Sequence, residues 1–246
     1  MVNSLAIELG LIAGEHIRLV GSRHRASGPA QSVYRAVEEM KHRPGAISKI
    51  GSRYPEAAVT LFRRAQSSHF DKSLSYLAYY QLLEYFFPVY SRKDLLDKIK
   101  NTIKDPRFNK HSDVDVGRLV YLVEHDSLTR ASEREQLAGV IGSCISGPRL
   151  MRHLRNETIR KYLADKESLP EVPTINPTNA NIPLSRQIAS RIYSIRCKIV
   201  HTKDGVTPGI LDDILLVGGS ALMVDLYLIE EIAKDVLAAS GEPLNY

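Results

Sequence analysis

The sequence predicts an all-α fold, because apolar residues recur at helical spacing along most of the chain. The clearest instance is a stripe of four isoleucines spaced three or four residues apart, which is typical of a helix seated in a core: Ile188, Ile192, Ile195 and Ile199. No segment shows the alternation expected of a strand, and no internal repeat is evident. The predicted architecture is therefore a bundle of helices with a long proline-rich loop before the isoleucine helix.

Composition bounds the possible functions. The 246 residues suffice for one large domain or a domain with an appendage, and 43% hydrophobic content is ordinary for a soluble globular protein. A net charge of +5 permits a polyanionic partner without requiring one. The two cysteines, Cys144 and Cys197, both fall in predicted helices and indicate neither a disulfide framework nor a zinc site, so we expect a cytoplasmic setting.

No stretch predicts membrane association. The apolar run from Ile214 to Val224 is too short to span a bilayer and contains Gly218, Gly219 and Ser220. The N-terminal apolar stretch is interrupted by charged residues and lacks a preceding basic segment, so no signal peptide is expected.

The chain divides into residues 1–51, an N-terminal extension of uncertain structure, and residues 52–246, a helical domain. Glycine and proline punctuate the extension around one predicted helix, Ala30 to Lys41. A helix is predicted to start at Pro55, and a second, apolar around most of its circumference, runs from near Asp71 to Pro88. We interpret the many aromatic residues of that second helix as core rather than as a base-stacking platform.

Amphipathic helices with one buried side are predicted over Arg92–Lys104, Ser112–Glu124 and Ser132–Cys144. The next predicted helix, Pro148 to Ala164, is densely basic, and its default interpretation is a solvated face. Four prolines between Lys166 and Leu184 predict a long loop, a feature that is often functional inside a compact domain. A long or broken helix, Leu211 to Ala239, completes the chain.

Two residues at the end of the isoleucine helix can carry chemistry. Arg196 lies beside the apolar stripe, and His201 falls where the helix should end, just before Asp204 and Gly205. Five positions of an ideal helix turn through about 140°, so the two side chains do not share a face unless the last turn unwinds. Alternatively, a second subunit completes the pair.

The segment Arg196-Cys197-Lys198-Ile199-Val200-His201 resembles the signature of the HEPN superfamily, in which an arginine, four to six residues and a histidine end a bundle helix. The aromatic helix ending at Pro88 is similar to an early helix of the Apea-like branch of that family. Together the resemblance covers roughly Pro55 to Ser240. Its context gives it more weight than the motif alone, because an arginine and a histidine five residues apart also occur by chance.

The resemblance implies a metal-independent RNase without a cofactor, acting in phage defence or as a toxin, with a possible antitoxin or defence-system partner. It assigns phosphate binding to Arg196 and proton transfer near neutral pH to His201, leaving a 2′,3′-cyclic phosphate and a 5′-hydroxyl. Lys198 and Lys203 would add attraction for RNA. Because family members place two motifs face to face, it also implies a homodimer.

Three other interpretations stay open. A non-catalytic HEPN module that dimerises and binds RNA or protein fits the presence of Cys197, where the family commonly has Asn, Asp or His. A helical DNA-binding regulator would use the basic helix from Arg149 to Lys161. In a purely structural role, Arg196 would bind a neighbouring carboxylate and His201 would cap its helix. No metal site is predicted, because Asp212, Asp213 and Asp225 are explained as acids at a helix start.

Overall fold

The computed structural model describes residues 29–41, 52–68, 71–125, 132–200 and 222–243, and these are predominantly helical, which confirms the all-α fold. The elements in chain order are α1 (Pro29–Lys41), β1 (Ser52–Arg53), α2 (Glu56–Ser67), α3 (Lys72–Tyr85), α4 (Phe87–Lys104), α5 (Asp113–His125), α6 (Glu133–Cys144), α7 (Gly147–His153), α8 (Glu157–Ala164), α9 (Leu184–Val200), α10 (Met223–Ala239) and β2 (Glu242–Pro243). Within these ranges, no helix is long and apolar enough to cross a bilayer.

Helix α3 occupies the centre of the bundle, where it packs against α2, α10, α9 and α6. Its side chains Tyr76, Tyr79 and Tyr80 are buried, so the prediction that its aromatic residues form core is confirmed. The two polar residues that interrupt its apolar surface, Gln81 and Glu84, are exposed and need no buried partner.

The isoleucine helix α9 lies on α6 and α3, with Ile188, Ile192 and Ile195 buried as predicted. Helix α6 begins at its predicted boundary because Ser132 and Glu135 form a capping box, in which each side chain bonds the other residue's backbone N–H. These two helices carry the residues of the candidate site.

The helix predicted in the N-terminal extension is present as α1 and packs against α10 and α8. Its Ala36 and Val37 belong to the main core, and Lys41 forms an ion pair of 3.0 Å with Glu230 of α10. This part of the extension is therefore integrated with the bundle.

One pair of very short strands departs from the strand-free prediction. β1 pairs antiparallel with β2, placing Ser52 opposite Pro243 and Arg53 opposite Glu242. Two residues are too few for an alternating pattern, so the sequence carries no signal for them. A Cβ on Gly241 would lie 2.9 Å from the Tyr54 ring, so glycine permits this close approach.

Two helix boundaries were predicted wrongly. The chain turns at Phe86 and α4 begins at Phe87, well before the predicted start at Arg92, so Pro88 lies in the first turn of α4 rather than ending the helical run. Proline is tolerated there because an N–H in the first turn has no helical partner. The end of α4 at Lys104, just before Pro106, was predicted correctly.

The predicted buried side of α5 is also wrong. Val116, Val120 and Val123 are 39%, 48% and 56% exposed. The reason is topological: α5 packs mainly on α4, which covers only the side bearing Leu119 and Leu122. Helical spacing in the sequence correctly predicted the helix but not what covers it.

The predicted basic helix is two helices, α7 and α8, because the Asn156 side chain accepts hydrogen bonds from the backbone N–H groups of Thr158 and Ile159 and caps α8. Its predicted solvated face is wrong at His153, which is buried, whereas Arg149 stays exposed although it is paired. Arg149 and His153 each bond a carboxylate oxygen of Asp235 on α10 at 2.7 Å. A continuous recognition helix across 148–164 is therefore absent.

Residues 165–183 contain no helix or strand, as predicted, but this loop is packed rather than free. Val172 and Ile175 are buried. The Gln187 amide on α9 ties the loop down at two points, donating to the Ile182 carbonyl at 2.8 Å and accepting from the Asn176 N–H at 2.7 Å.

A buried ion pair joins α9, α10 and this loop. The Arg191 guanidinium donates to both carboxylate oxygens of Asp225 at 2.6 and 3.0 Å, and its third nitrogen donates to the Pro173 carbonyl at 3.1 Å. Both side chains are essentially inaccessible, and the guanidinium also lies over the Tyr162 ring. Burial lowers the pKa of Arg191, but the adjacent Asp225 carboxylate outweighs it and the net pKa is raised, so the arginine stays charged.

Replacing Arg191 with Met should lower the free energy of unfolding by about 3–5 kcal/mol, because the Asp225 charge is left buried and unpaired. The double variant Arg191→Met/Asp225→Leu should recover most of that loss. Urea unfolding followed by circular dichroism measures both. Arg35→Met, which breaks the exposed pair with Glu39, is the control and should cost under about 1 kcal/mol. A double variant as unstable as the single one would contradict this prediction.

Asp235→Asn should destabilise the protein at neutral pH and much less in acid. Burial raises the pKa of Asp235, but hydrogen bonds from His153 and Arg149 outweigh it, and the folded-state pKa lies below its ordinary value. A depressed carboxyl pKa stabilises the fold above the unfolded value of about 3.9, and this contribution disappears as the pH falls through the folded value. Urea unfolding at neutral and acidic pH tests it; a difference that does not shrink in acid would refute it.

Candidate functional site around Arg196

The structure describes part of the predicted site. Arg196 and Lys198 lie in the last turns of α9, which is described as far as Val200. His201 and Lys203 lie outside the described residues. The geometry below therefore concerns the surroundings of Arg196 and Lys198.

The Arg196 side chain is held against α3 and α6 while 24% of it remains exposed. Its guanidinium carbon lies 5.4 Å from the centre of the Tyr80 ring, within the range of a cation–π contact. Its Nη2 is 3.8 Å from Glu133 Oε2. Desolvation lowers the pKa of Arg196, but the charge of Glu133 together with smaller contributions from Cys197 and Tyr80 raises it overall, so the guanidinium stays charged.

Glu133 also accepts a hydrogen bond of 3.0 Å from the Tyr80 hydroxyl. Burial, followed by this hydrogen bond, raises the pKa of Tyr80 far above its ordinary value, which keeps the hydroxyl protonated and donating. One carboxylate therefore serves both the phenol and the arginine. The contact to Arg196 is the looser of the two, because charge-assisted hydrogen bonds are about 2.7–2.9 Å long.

Sequence reasoning missed both Tyr80 and Glu133 as neighbours of Arg196. Tyr80 was correctly assigned to the core, which concealed its hydroxyl end. Glu133 directly follows the capping residue Ser132, where an acid is already explained by the helix dipole. No spacing in the sequence connects either residue to α9.

A second arginine–tyrosine contact lies beside the first. The Arg134 guanidinium carbon is 5.6 Å from the centre of the Tyr193 ring. Tyr193, Arg196 and Cys197 are three and four positions apart and share one side of α9. A hydrogen bond to Cys197 raises the pKa of Tyr193, and Cys197 also contributes to the raised pKa of Arg196. Cys197 therefore lies close to both side chains.

Lys198 is not brought beside Arg196. Two helical positions separate them by about 200° around the axis. The Lys198 ammonium forms a 2.8 Å ion pair with Glu171, a loop residue with a positive φ of 61°. This contact lowers the pKa of the exposed Glu171 carboxyl, first through the hydrogen bond and then through charge. Lys198 thus fastens the proline-rich loop to α9.

Metal chemistry finds no support in the described ranges, which hold no group of three or more His, Cys, Asp or Glu residues placed to bind an ion. Asp225, one of the acids considered as a ligand from the sequence, is engaged by Arg191. Both cysteines are free thiols.

Comparison of the chain with protein-family models, with curated proteins and with solved structures finds no match. Function must therefore be inferred from the site itself. Its chemistry is a fixed, partly exposed guanidinium that can donate to an anion, beside a carboxylate that can either position it or compete with that anion.

Tyr80→Phe should lower the free energy of unfolding by about 1 kcal/mol, because Glu133 loses a hydrogen bond while the ring under Arg196 is kept. The matched control is Tyr85→Phe, at an exposed position five residues farther along the same helix. It should change stability by less than about 0.5 kcal/mol. Chemical denaturation of the two variants checks this, and equal effects would argue against the Tyr80–Glu133 bond.

Proposed function

We propose that the chain is a metal-independent RNA endonuclease that acts through Arg196 and His201 in a composite cleft of a homodimer. The observation that carries the proposal is the state of Arg196: it is charged, held over the Tyr80 ring, partly exposed, and bound to Glu133 by only a loose ion pair. A fixed guanidinium with donors still directed to solvent is suited to bind phosphate. The resemblance of Arg196–His201 to the HEPN signature supplies the reaction.

In this reaction the 2′-hydroxyl of RNA attacks the adjacent phosphorus, and the bond to the 5′-oxygen of the next nucleotide breaks. A base removes the 2′-proton, and an acid protonates the departing 5′-oxygen, leaving a 2′,3′-cyclic phosphate and a 5′-hydroxyl. His201 exchanges these protons, and Arg196 stabilises the negative charge that grows on the phosphoryl oxygens. Lys203 adds electrostatic attraction for the RNA backbone. Lys198 adds to this attraction when its ion pair with Glu171 opens.

The proposal includes a second subunit because two proton transfers exceed what one histidine does most easily. A two-fold axis would place two copies of Arg196 and His201 in one cleft. It also removes the angular difficulty, since an arginine of one subunit then works with a histidine of the other. The biological setting implied by the resemblance is phage defence or toxin activity, with a possible antitoxin or defence-system partner.

A non-catalytic HEPN module that dimerises and binds RNA or protein is the second candidate, favoured by one contact. Glu133 already balances the charge of Arg196, and its carboxylate would repel an arriving phosphate. The residue after Arg196 is Cys197, where the family commonly has Asn, Asp or His. In this reading, Arg196 fastens α9 to α6 and α3.

The deciding experiment is cleavage of labelled single-stranded RNA and tRNA in EDTA by the wild type, Arg196→Ala, Arg196→Lys and His201→Ala. We expect wild-type cleavage to fall by at least about 100-fold in both alanine variants, because each removes charge stabilisation or proton transfer. Arg186→Ala is the matched control, an exposed arginine about 15 Å along the same helix, and should retain activity.

Equal activity in all variants would contradict the proposal. Absence of cleavage together with RNA binding that Arg196→Ala weakens would favour the non-catalytic module. Measuring RNA affinity at several salt concentrations shows whether Arg196 contacts a phosphate. Loss of one phosphate contact to a single strand lowers the slope of log affinity against log salt concentration by about 0.7.

A further inference from the structure

Helices α4 and α5 form an antiparallel arm, here called the hairpin, with an unusually apolar exposed surface. α4 packs on α6, whereas α5 packs mainly on α4. Eight large apolar side chains of the hairpin are 39–70% exposed: Val89, Leu96, Ile103, Val114, Val116, Val120, Tyr121 and Val123. A contiguous exposed apolar surface of this kind marks an interaction site.

On α5 the exposed apolar residues form one face. Viewed down the helix axis at 100° per residue, the exposed apolar residues of α5 lie within an arc of about 180° that has Val123 at one end and Val114 at the other. The half-buried Leu119 and Leu122 lie outside this arc, on the side that faces α4. Gly117 lies within the arc, and a Cβ built on it meets nothing within 4 Å. Among the residues that the structure describes, the valines of this face are therefore exposed and Gly117 has room for a side chain.

The charges on the two helices of the hairpin are opposite. On α4, Lys100 and Lys104 flank the exposed Leu96 and Ile103, at about 40° and 80° from Leu96 around the axis. On α5, the charged residues within the apolar arc are both acidic, Asp113 and Glu124, whereas Arg118 lies at its edge and pairs with Asp115 at 3.2 Å. The exposed surface of α4 is therefore apolar and basic, and that of α5 is apolar and acidic. The two surfaces are complementary in charge.

We propose that the hairpin binds a second copy of this chain, with α4 of each subunit packed against α5 of the other. Such an interface is isologous: one two-fold axis satisfies both contacts and buries both apolar surfaces. Opposite charges on the two helices fix the orientation and disfavour pairing of α5 with α5. The four helices then form a bundle in which each exposed face is covered.

The position of the hairpin relates this interface to Arg196. α4 begins at Phe87, whose ring packs edge-on against Tyr80 at 6.4 Å between centroids, and Tyr80 lies beneath Arg196. After α5, the chain reaches Glu133 at the start of α6, so both ends of the hairpin lead to the candidate site. This step rests on the proposed nuclease function. In that function, pairing of the two hairpins holds the composite cleft together.

The first test introduces a bulky charge into the face. Gly117→Arg should fit a single copy without a clash, yet raise the dimer dissociation constant by roughly tenfold or more, equivalent to about 1.4 kcal/mol. Gly139→Arg is the matched control, another exposed helical glycine with nothing within 4 Å, on α6. Sedimentation velocity across a concentration series gives the dissociation constants, and circular dichroism with urea unfolding verifies the fold.

A wild type that stays monomeric at every concentration would overturn the proposal, whether another protein or a membrane covers the face instead. So would a Gly117→Arg variant that dimerises like the wild type. If that variant loses stability while its association is unchanged, a segment of the same chain covers the face, and the proposal again fails.

The second test uses charge reversal. Lys100→Glu/Lys104→Glu and Asp113→Lys/Glu124→Lys should each prevent self-association, because α4 and α5 then carry like charges. Mixing the two variants should restore a dimer containing one of each, since every α4–α5 contact regains opposite charges. Mixtures that remain monomeric would refute the α4-to-α5 pairing.

The RNA assay separates this inference from the proposed function. Hairpin-dependent dimers that do not cleave RNA would leave the interface standing and refute the nuclease. Cleavage that persists in monomeric Gly117→Arg would support a nuclease while refuting the role of the hairpin in its cleft.

Discussion

The buried ion pair between Arg191 and Asp225 sets the arrangement of α9, α10 and the proline-rich loop. Two charges removed from water are stable only if nearly all their hydrogen bonds are made, and here the guanidinium reaches both carboxylate oxygens and the Pro173 carbonyl. This requirement fixes the rotation of α9 relative to α10 and the course of the proline-rich loop. Five residues farther along, about 7.5 Å on the same rigid helix, Arg196 is thereby directed toward α3 and α6.

The surroundings of Arg196 follow from that rotation. Tyr80 offers an aromatic face from α3, and Glu133 offers a carboxylate from α6, so the guanidinium meets fixed groups instead of sampling solvent. Such immobilisation reduces the entropy lost when an anion binds. The same carboxylate is what a purely structural arginine would require, so catalysis and support are distinguished by whether phosphate displaces Glu133, not by the presence of the contact.

Much of the fold could be predicted from local signals. The isoleucine stripe of α9 and the extent of the helix predicted over Ser132–Cys144 depend on neighbouring residues in the sequence, and both predictions were confirmed. What escaped prediction depends on distant partners. Arg191 looked like an ordinary polar residue until Asp225, 34 positions away, accounted for its burial. Glu133 and Tyr80 join Arg196 only in three dimensions, and the Asn156 cap was hidden inside a basic run.

The wrong prediction for α5 is instructive in another way. Helical periodicity in the sequence indicates that one side of a helix is apolar. The commonest reason is that this side is buried against the same chain, but a partner can also cover it. In α5 the apolar residues of the arc are exposed, and such exposure is costly in water, by about 25 cal/mol for each Å² left uncovered. An ideal helix places Arg196 and His201 about 140° apart, so either the last turn unwinds or a second subunit completes the pair. The proposed dimer would account for both features, because one second copy would cover the α5 face and supply the other half of the proposed site.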